Sequence, residues 1–291
     1  MRVTNNIMIN TMTADILKNT AELFKTSQMV SSGKRINTPS DDPVGAGQVA
    51  GYRRIISSIG QYKKNISHAR AWLSATDSAL DNVDNLLIQA KGIASSQATG
   101  TANRESRAAA AEQVKGIYNQ ILQLSNSKLG DSYIFSGHRT STPAFASNGT
   151  YQGDNGSVMA VTGENVSIKI NMNGNALFKT GTDMFDVINS LETALSNNDA
   201  GGISNQLTRL DDALNQIANA RGTVGAKLKQ LDNTDQYWDD FNMHIQGMLS
   251  DTEDVDITKA MTDLVQKQTA YQSSLQTASM IVQTSLVNFL R

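Results

Sequence analysis

The chain has 291 residues, a formal net charge of −2 and no cysteine. The nearly balanced charge gives no indication of nucleic-acid binding. The lack of cysteine excludes disulfide bonds, thiolate metal sites and a cysteine nucleophile. Aromatic residues make up only 5% of the chain. Because a rounded core of this size needs more large side chains, we expect an elongated molecule with thin cores.

The N-terminal segment has the spacing of an amphipathic helix. Steps of three and four residues from Ile9 to Val30 meet an apolar side chain at five of seven positions. This spacing predicts a helix with one apolar stripe. The segment contains no apolar run of signal-peptide length, so we expect no cleaved signal peptide.

The segment SSGKRINTPSDDPVGAG, residues 31–47, follows this helix and has some features of a phosphate-binding loop. A Walker loop requires Gly-Lys-Ser/Thr, preceded by another glycine and placed between a strand and a helix. Here Arg35 follows Gly33 and Lys34, position 28 is not a glycine, and the preceding segment is helical. We therefore reject a phosphate-binding function.

The same segment has the residues of a turn that links two helices. Gly33 suits the left-handed conformation that often follows a helix. Asp42 can cap the next helix, whose first residue is Pro43. The cations Lys34 and Arg35 complement the negative end of the first helix dipole. We therefore predict a helix-linking turn formed by Gly33, Asp42 and Pro43.

Two long segments carry an apolar seam with the heptad spacing of paired helices. The first seam covers Tyr52–Ala94 and is apolar at twelve of thirteen positions. It predicts a helix of about 65–75 Å. The second seam covers Ile203–Leu249, is apolar at eleven of fourteen positions, and can lie along the first. Two shorter stripes, Ala110–Leu124 and Met184–Leu195, predict further helices.

Residues 131–181 lack helical spacing. They contain short runs of β-branched residues bounded by Gly, Asn and Asp, such as VMAVTG and VSIKINMNG. Such runs predict strands and hairpins. We therefore expect a small β-rich insertion between two helical arms.

The C-terminal segment carries another apolar stripe, with eight of ten positions apolar over Ile257–Phe289. This helix can pair with the N-terminal helix. A two-helix pair buries too little surface to offset its ordering entropy, so we expect both ends to be disordered in the free chain. Residues 268–290 carry no charge, but their recurring Gln, Ser and Thr are too polar for a membrane span.

No residue pattern in the sequence indicates catalysis, a cofactor or a metal. The histidines His68, His138 and His244 lie in separate segments without metal-ligand spacing. The acidic run DTEDVD, residues 251–256, lacks the glycine of a calcium loop and is typical of a linker with capping carboxylates. The excess apolar surface of the two chain ends is therefore the functional signal, and it indicates packing among copies.

Several separated motifs resemble the bacterial flagellin family. SSGKRINTPSDDP follows an amphipathic helix, as in flagellins and their relatives. GDSYIFSGHRTSTPAF, YQGDNG, IKINMNGNALF and the C-terminal QTAYQSSLQTASMIVQTSLVNFLR look like the members that join the hook to the filament. Within the family, the chain resembles these junction proteins more than filament flagellins.

The resemblance implies a mainly α fold, an elongated flagellin-like bundle of long helices with terminal coiled-coil helices and a small β-rich insertion. Residues 1–35 and 255–291 would form the inner coiled coil, which lines an axial channel. Residues 36–130 and 182–254 would form the long-helix domain, and residues 131–181 the outer β-rich domain.

The resemblance also implies a structural adaptor without enzymatic activity, cofactor or metal. A ring of copies would lie between a hook-associated protein on the hook side and flagellin on the filament side. The flagellar type III apparatus would export the chain to the extracellular flagellum, helped by a cytoplasmic chaperone that binds the C-terminal helix. Neither nucleic-acid binding nor membrane insertion is expected.

The alternatives are a short flagellin that forms the filament itself, an enzyme in the β-rich insertion, and a secreted effector with coiled-coil arms.

We expect the assembly interface on the apolar stripes of the two terminal helices. Packing among copies would remove these stripes from water and so provide the free energy of assembly. The predicted interface residues are Ile9, Met12, Ile16, Leu23, Val30, Leu264, Tyr271, Leu275, Ala278, Val282 and Phe289.

Overall fold

The computed structural model describes the backbone of residues 2–289 and the side chains of residues 6–281. Helices dominate this part of the chain, and the mainly α fold expected from the sequence is confirmed. The helices are α1 (Arg2–Ser32), α2 (Pro43–Gln97), α3 (Arg104–Ser125), α4 (Gly174–Phe178), α5 (Met184–Ser196), α6 (Ala200–Glu253) and α7 (Ile257–Phe289). The strands are β1 (Lys128–Leu129), β2 (Ser132–Tyr133), β3 (Met159–Gly163) and β4 (Val166–Lys169).

The chain divides into two compact units. The first, which we call the terminal unit, combines Met1–Ser58 with Asp240–Arg291. The second, which we call the central unit, comprises Ile59–Asp239 and therefore includes all four strands. Each of the long helices α2 and α6 contributes residues to both units. The division into three domains stays a prediction.

The predicted seam of α2 forms the main line of the core in the central unit. Every seam position over Ile66–Ala94 is fully buried, including the polar Thr76. The Thr76 hydroxyl donates a hydrogen bond to the carbonyl oxygen of Trp72, 2.9 Å away, and so needs no further partner. Over Ile203–Leu231, every second position of the α6 seam is fully buried, and the positions between them are half-buried. Its fully buried residues are Ile203, Leu210, Ile217, Val224 and Leu231.

Ion pairs flank these seams and show that α2 and α6 run antiparallel in the central unit. Lys63, near the start of this part of α2, contacts Asp239, the last residue of α6 within the central unit. Lys91, near the end of α2, lies 2.5 Å from Asp211. The intervening pairs are Arg70–Asp232 at 2.8 Å and Asp81–Arg221 at 2.8 Å. Because exposed ion pairs stabilise a fold only slightly, their main effect is on register.

A cluster of aromatic rings closes the core beside α3 and α5. Four of the seven phenylalanines of the chain form it, one of them from α4 and one from α5. The rings of Phe145 and Phe178 lie 5.5 Å apart, and those of Phe145 and Phe185 lie 5.0 Å apart. Phe135 packs edge-on against Phe178 at 5.4 Å. The few aromatic residues are thus concentrated where helices and strands meet.

The region expected to be β-rich contains only short strands. β1 pairs with β2, and β3 pairs with β4, each as an antiparallel two-stranded sheet. Side-chain amides replace many backbone partners. Asn126 exchanges two hydrogen bonds with the backbone of Phe145, and Asn171 bonds the backbone of Gly156 and Val158. Asparagine competes with the backbone in this way, which explains why its abundance shortens the strands.

The β3–β4 hairpin is fixed to the long helices at its bulge. The indole Nε1 of Trp238, on α6, donates to the carbonyl oxygen of Thr162 at 2.7 Å. The amide of Asn65, on α2, donates to the carbonyl oxygen of Val161 at 2.8 Å. The ring of Tyr62 lies 5.1 Å from that of Trp238. These contacts join the hairpin to α2 and α6 within one core.

Leu80 tests the seam because it is fully buried in the middle of α2. We expect Leu80→Ala to lower the free energy of unfolding by about 2–5 kcal/mol, through lost burial and the remaining cavity. Ile88 on the same helix is 53% exposed. We expect Ile88→Ala to change the free energy of unfolding by no more than about 0.5 kcal/mol. Urea unfolding followed by circular dichroism measures both. Equal losses in the two variants would contradict the seam.

Candidate assembly site

The turn between α1 and α2 has the geometry of a terminated helix followed by a capped one. Gly33 has a φ of +71°, and its amide donates to the carbonyl oxygen of Met29 at 2.9 Å. Asp42 Oδ1 accepts from the amide of Gly45 at 2.9 Å, and Pro43 begins α2. A Cβ at Gly45 would lie 2.5 Å from the Asp42 carboxylate, so only glycine leaves room for this cap.

The neighbouring Asp41 closes the turn on itself. Its Oδ2 accepts from the backbone amides of Thr38 and Asn37 at 2.9 and 3.2 Å. Its Oδ1 lies 3.0 Å from Nζ of Lys25 on α1. The hydrogen bond from the Thr38 amide, followed by the Lys25 contact, holds the pKa of Asp41 well below its usual range. The two adjacent aspartates therefore have different structural roles, since Asp41 ties the turn to α1 and Asp42 caps α2.

Gly33, Lys34 and Arg35, which we call the GKR motif, supply two cations that contact the C-terminal end of α6. Glu253, the last residue of α6, is only 5% exposed. Its Oε1 accepts from Lys34 Nζ at 2.7 Å and from Arg53 Nη2 at 2.5 Å. A buried carboxylate requires such partners because its charge would otherwise be desolvated without compensation.

Backbone hydrogen bonds complete this contact, which we call the Glu253 clasp (residues 33–35 and 252–255 with Arg53). The amide of Arg35 donates to the carbonyl oxygen of Glu253 at 2.7 Å. The amide of Val255 donates to the carbonyl oxygen of Gly33 at 3.0 Å. The Arg35 guanidinium also donates to the carbonyl oxygen of Thr252 at 2.8 Å. The clasp thus binds the link between α1 and α2 to the link between α6 and α7.

The sequence alone predicts a different partner for these cations. It pairs Lys34 and Arg35 with the helix dipole and indicates a separate acidic linker at residues 251–256. The structure brings the two segments together, with Glu253 as the shared acceptor. The sequence did contain a signal for this contact, since one helix junction is basic and the other is acidic. Sequence spacing could not show that the two junctions meet.

The terminal helices α1 and α7 pack together as an antiparallel pair. The amide of Asn19 donates to the Ser274 hydroxyl at 2.6 Å. One turn further along, Lys267 Nζ forms an ion pair with Glu22. This contact lowers the pKa of Glu22, mainly through the hydrogen bond from Lys267. Two polar contacts between the helices therefore define which faces meet.

The helix pair does not enclose a core. No side chain of residues 6–32 is buried, and Ala260 is the only buried side chain among residues 257–281. Several large apolar side chains of the pair remain exposed. Those more than half exposed are Ile7, Leu17, Phe24, Met261, Val265 and Met280. The pair therefore carries more apolar surface than its two helices can cover.

The structure places the predicted interface residues on and beside the contact between the helices. Half-buried positions are Met12, Ile16, Leu23, Val30, Leu264, Tyr271 and Ala278. Ile9 and Leu275 are exposed, at 38% and 43%. Ser274 faces Asn19, which turns the adjacent Leu275 outward. Val282 and Phe289 lie outside the residues whose side chains the structure describes.

Sequence reasoning missed the outward-facing apolar residues. Leu17 and Phe24 lie seven residues apart on α1 and form a second stripe beside the predicted one. A groove of about 450 Å³ runs beside Phe24, between Leu23 on α1 and Tyr271 on α7. The sequence contained a signal for them, because Leu17 and Phe24 are two apolar residues spaced seven apart and lie outside the predicted stripe. One stripe matches a partner within the chain, whereas two indicate further partners.

Among residues 2–289, no helix combines the length and the apolarity that crossing a membrane requires. The groove beside Phe24 is lined by polar as well as apolar side chains. Its neighbouring residues, such as Thr20 and Ser27, are small and uncharged. A surface of this kind is suited to close packing against another protein surface.

Comparison with known proteins agrees with this architecture. The family model for the bacterial flagellin N-terminal helical region matches residues 3–140, and the one for the C-terminal helical region matches residues 207–290. Together they cover most of the chain. The chain belongs to the bacterial flagellin family. This flagellin-family chain is 27% identical to flagellar hook-associated protein 3 of Salmonella typhimurium, over 95% of the chain and 96% of that protein.

A second curated relative and a solved structure give the same picture. Flagellar hook-associated protein 3 of Escherichia coli is 26% identical, over 94% of this chain and 95% of the relative. The crystal structure of the flagellar junction protein FlgL from Legionella pneumophila superimposes with a TM-score of 0.60 at 16% identity. It covers 72% of this chain and 100% of that one, which shows the same fold.

The Glu253 clasp can be tested by removing its acceptor. Glu253→Ala leaves Lys34 and Arg53 without their carboxylate, so we expect faster hydrogen exchange of the Arg35 and Val255 amides, by about tenfold or more. Asp251 is exposed on the same helix, and Asp251→Ala should leave these rates within about twofold. Exchange followed by NMR measures both. Unchanged rates in Glu253→Ala would show that the backbone bonds alone hold the clasp.

Proposed function

We propose that this chain is a structural component of the bacterial flagellum that forms the junction tier between hook and filament. It would contact a hook-associated protein on the hook side and flagellin on the filament side, and it would act without enzymatic activity. Full-length similarity to hook-associated protein 3 supports this function. The solved Legionella structure is named a flagellar junction protein, and this name supports the same function.

The observation that carries the proposal is the incomplete core of the α1–α7 pair. Among residues 6–281, its predicted interface residues are at most half-buried, and a second set of apolar residues is exposed. Neighbouring copies would cover these residues by laying their own terminal helices alongside. In the free chain, the predicted disorder of the two ends has the same physical cause, because little apolar surface is removed from water.

The energetics favour contact with more than one neighbour. Covering the exposed part of a side chain such as Phe24 or Leu17 contributes on the order of 1 kcal/mol, at about 25 cal/mol per Å². Association costs about 4–15 kcal/mol in lost freedom and side-chain ordering. A single contact of a few such residues therefore gives little net affinity. Stable addition requires a growing tip, where one chain meets several neighbours at once.

The proposed junction role requires a closed or helical tier, which head-to-tail contacts would build. The exposed residues of α1 differ from those of α7, so one chain's α1 face can meet a neighbour's α7 face. Such head-to-tail contacts continue from copy to copy. This arrangement would place the helix pairs side by side around an axis, with the half-buried positions between them.

We also infer how the chain reaches the flagellum. The flagellar type III apparatus would export it without cleavage of a signal peptide, to an extracellular position. A cytoplasmic chaperone would bind the C-terminal helix, where Met261, Val265 and Met280 expose apolar surface. Covering this surface would prevent premature assembly, because the same side chains drive packing among copies.

A short flagellin that forms the filament itself is the alternative. Filament flagellins also match this chain, but more weakly than hook-associated protein 3. Addition of purified chain to isolated hooks that carry the hook-side partner separates the two functions. We expect a short tier whose length does not grow with protein concentration, as seen by electron microscopy. A filament flagellin serves as the control that elongates, and long filaments of this chain would contradict the junction function.

The terminal helices can be tested by substitution. We expect Phe24→Asp and Leu275→Asp each to abolish incorporation into flagella, because a charge would be buried among apolar neighbours. Phe24→Leu and Leu275→Met keep apolar side chains and should retain incorporation. Immunoblots of isolated flagella measure incorporation, and circular dichroism checks that the central unit stays folded. Normal incorporation of both Asp variants would place the interface elsewhere.

A further inference from the structure

The central unit contains a cavity that the assembly of terminal helices does not use. It has a volume of about 310 Å³ and lies between the end of β4, the loop that follows and α6. Two lysines, Lys169 on β4 and Lys227 on α6, contribute to its lining. They are far apart in the chain, and the packing of the β3–β4 hairpin brings them to one cavity.

These lysines differ from the cations of the central unit that have acidic partners. Lys63, Lys91 and Lys179 each form an ion pair with an aspartate. In the part of the chain whose side chains are described, no ion pair or hydrogen bond engages the ammonium of Lys169 or Lys227. The cavity is therefore lined by positive charge without a carboxylate to balance it.

The two lysines that line the cavity interact unfavourably, because both are cations. Burial lowers the pKa of Lys227, and the charge of Lys169 lowers it further. No carboxylate of the described residues counteracts either effect on Lys227. A negatively charged group between the lysines would relieve the repulsion and replace the water that Lys227 has lost.

The neutral side chains of the cavity are already bonded within the protein. The Gln216 amide donates to the carbonyl oxygen of Leu177 at 2.7 Å and accepts from the Thr182 amide at 3.1 Å. Asn171 is fully buried and bonds two backbone groups across the chain. These bonds make the wall rigid and leave it few free donors. Recognition of a ligand therefore depends on the two ammonium groups, which offer three donors each.

We propose that this cavity binds a small di- or trivalent oxyanion of the carboxylate or phosphate class between Lys169 and Lys227. Two cations that line one cavity match a ligand with two separated negative groups or one multiply charged group. The volume exceeds that of a single phosphate and admits a short carbon skeleton, which the apolar side chains of Leu177 and Ala220 would contact. This binding is independent of the flagellar function, because it needs only the free chain.

Calorimetric titration of the full-length chain with citrate and with inorganic phosphate tests the site. We expect saturable binding of at least one of them at one site per chain. Lys169→Gln and Lys227→Gln should each weaken it about tenfold. Lys229, exposed two residues further along α6, supplies the control, and Lys229→Gln should change the affinity by less than about twofold. The absence of saturable binding, or equal weakening by Lys229→Gln, would overturn the proposal.

Two further measurements separate binding from a purely structural role. Each Gln variant removes the repulsion between the lysines, so its Tm should equal or exceed that of the native chain. A lower Tm together with unchanged citrate affinity would show that the lysines serve only the fold. Acetylation by acetic anhydride, mapped by mass spectrometry, should slow at Lys227 when citrate is present and stay constant at Lys229. Equal acetylation of Lys227 with and without either anion would also refute the site.

Discussion

Two α-helices alone cannot surround a side chain, and this constraint governs the terminal unit. Each helix covers one face of its partner and leaves the other faces in water. In the α1–α7 pair, side chains at the contact are therefore only half-buried, and Phe24 remains 71% exposed. In the central unit, α3, α5 and the aromatic cluster supply further layers, and seam residues such as Leu80 become fully buried. The same type of seam thus gives a complete core in one unit and an incomplete one in the other.

The Glu253 clasp explains how distant segments reach a common register. The end of α1, at Ser32, and the start of α7, at Ile257, are far apart in the sequence. Glu253 receives Lys34 and Arg53, while the backbone of residues 33–35 bonds that of residues 253–255. Both helices of the terminal pair therefore begin or end at one bonded junction. A pair that lacks a core needs such a fixed point, because packing alone gives it little preference for one register.

Charge is distributed differently over the two units. Ion pairs such as Lys91–Asp211 flank the seams of the central unit and balance each other. The outward face of the terminal pair instead carries uncharged residues, which can approach another chain without losing hydration of ions. Lys169 and Lys227 line one cavity of the central unit, and neither has an acidic partner among its described residues. The uncharged face of the terminal pair is the proposed assembly face, and the cavity with the two unpaired lysines is the proposed anion site.

Periodicity determined much of this protein from the sequence alone. The seams over Tyr52–Ala94 and Ile203–Leu249 predicted the long helices, because burial against one partner imposes heptad spacing. Gly33, Asp42 and Pro43 marked the turn, because each has a local backbone preference. The tertiary structure decided what local preference cannot encode. It brought the GKR motif to Glu253, turned Leu275 outward by pairing Asn19 with Ser274, and placed Lys169 beside Lys227. These contacts join residues far apart in sequence, and only the folded chain fixes their distances.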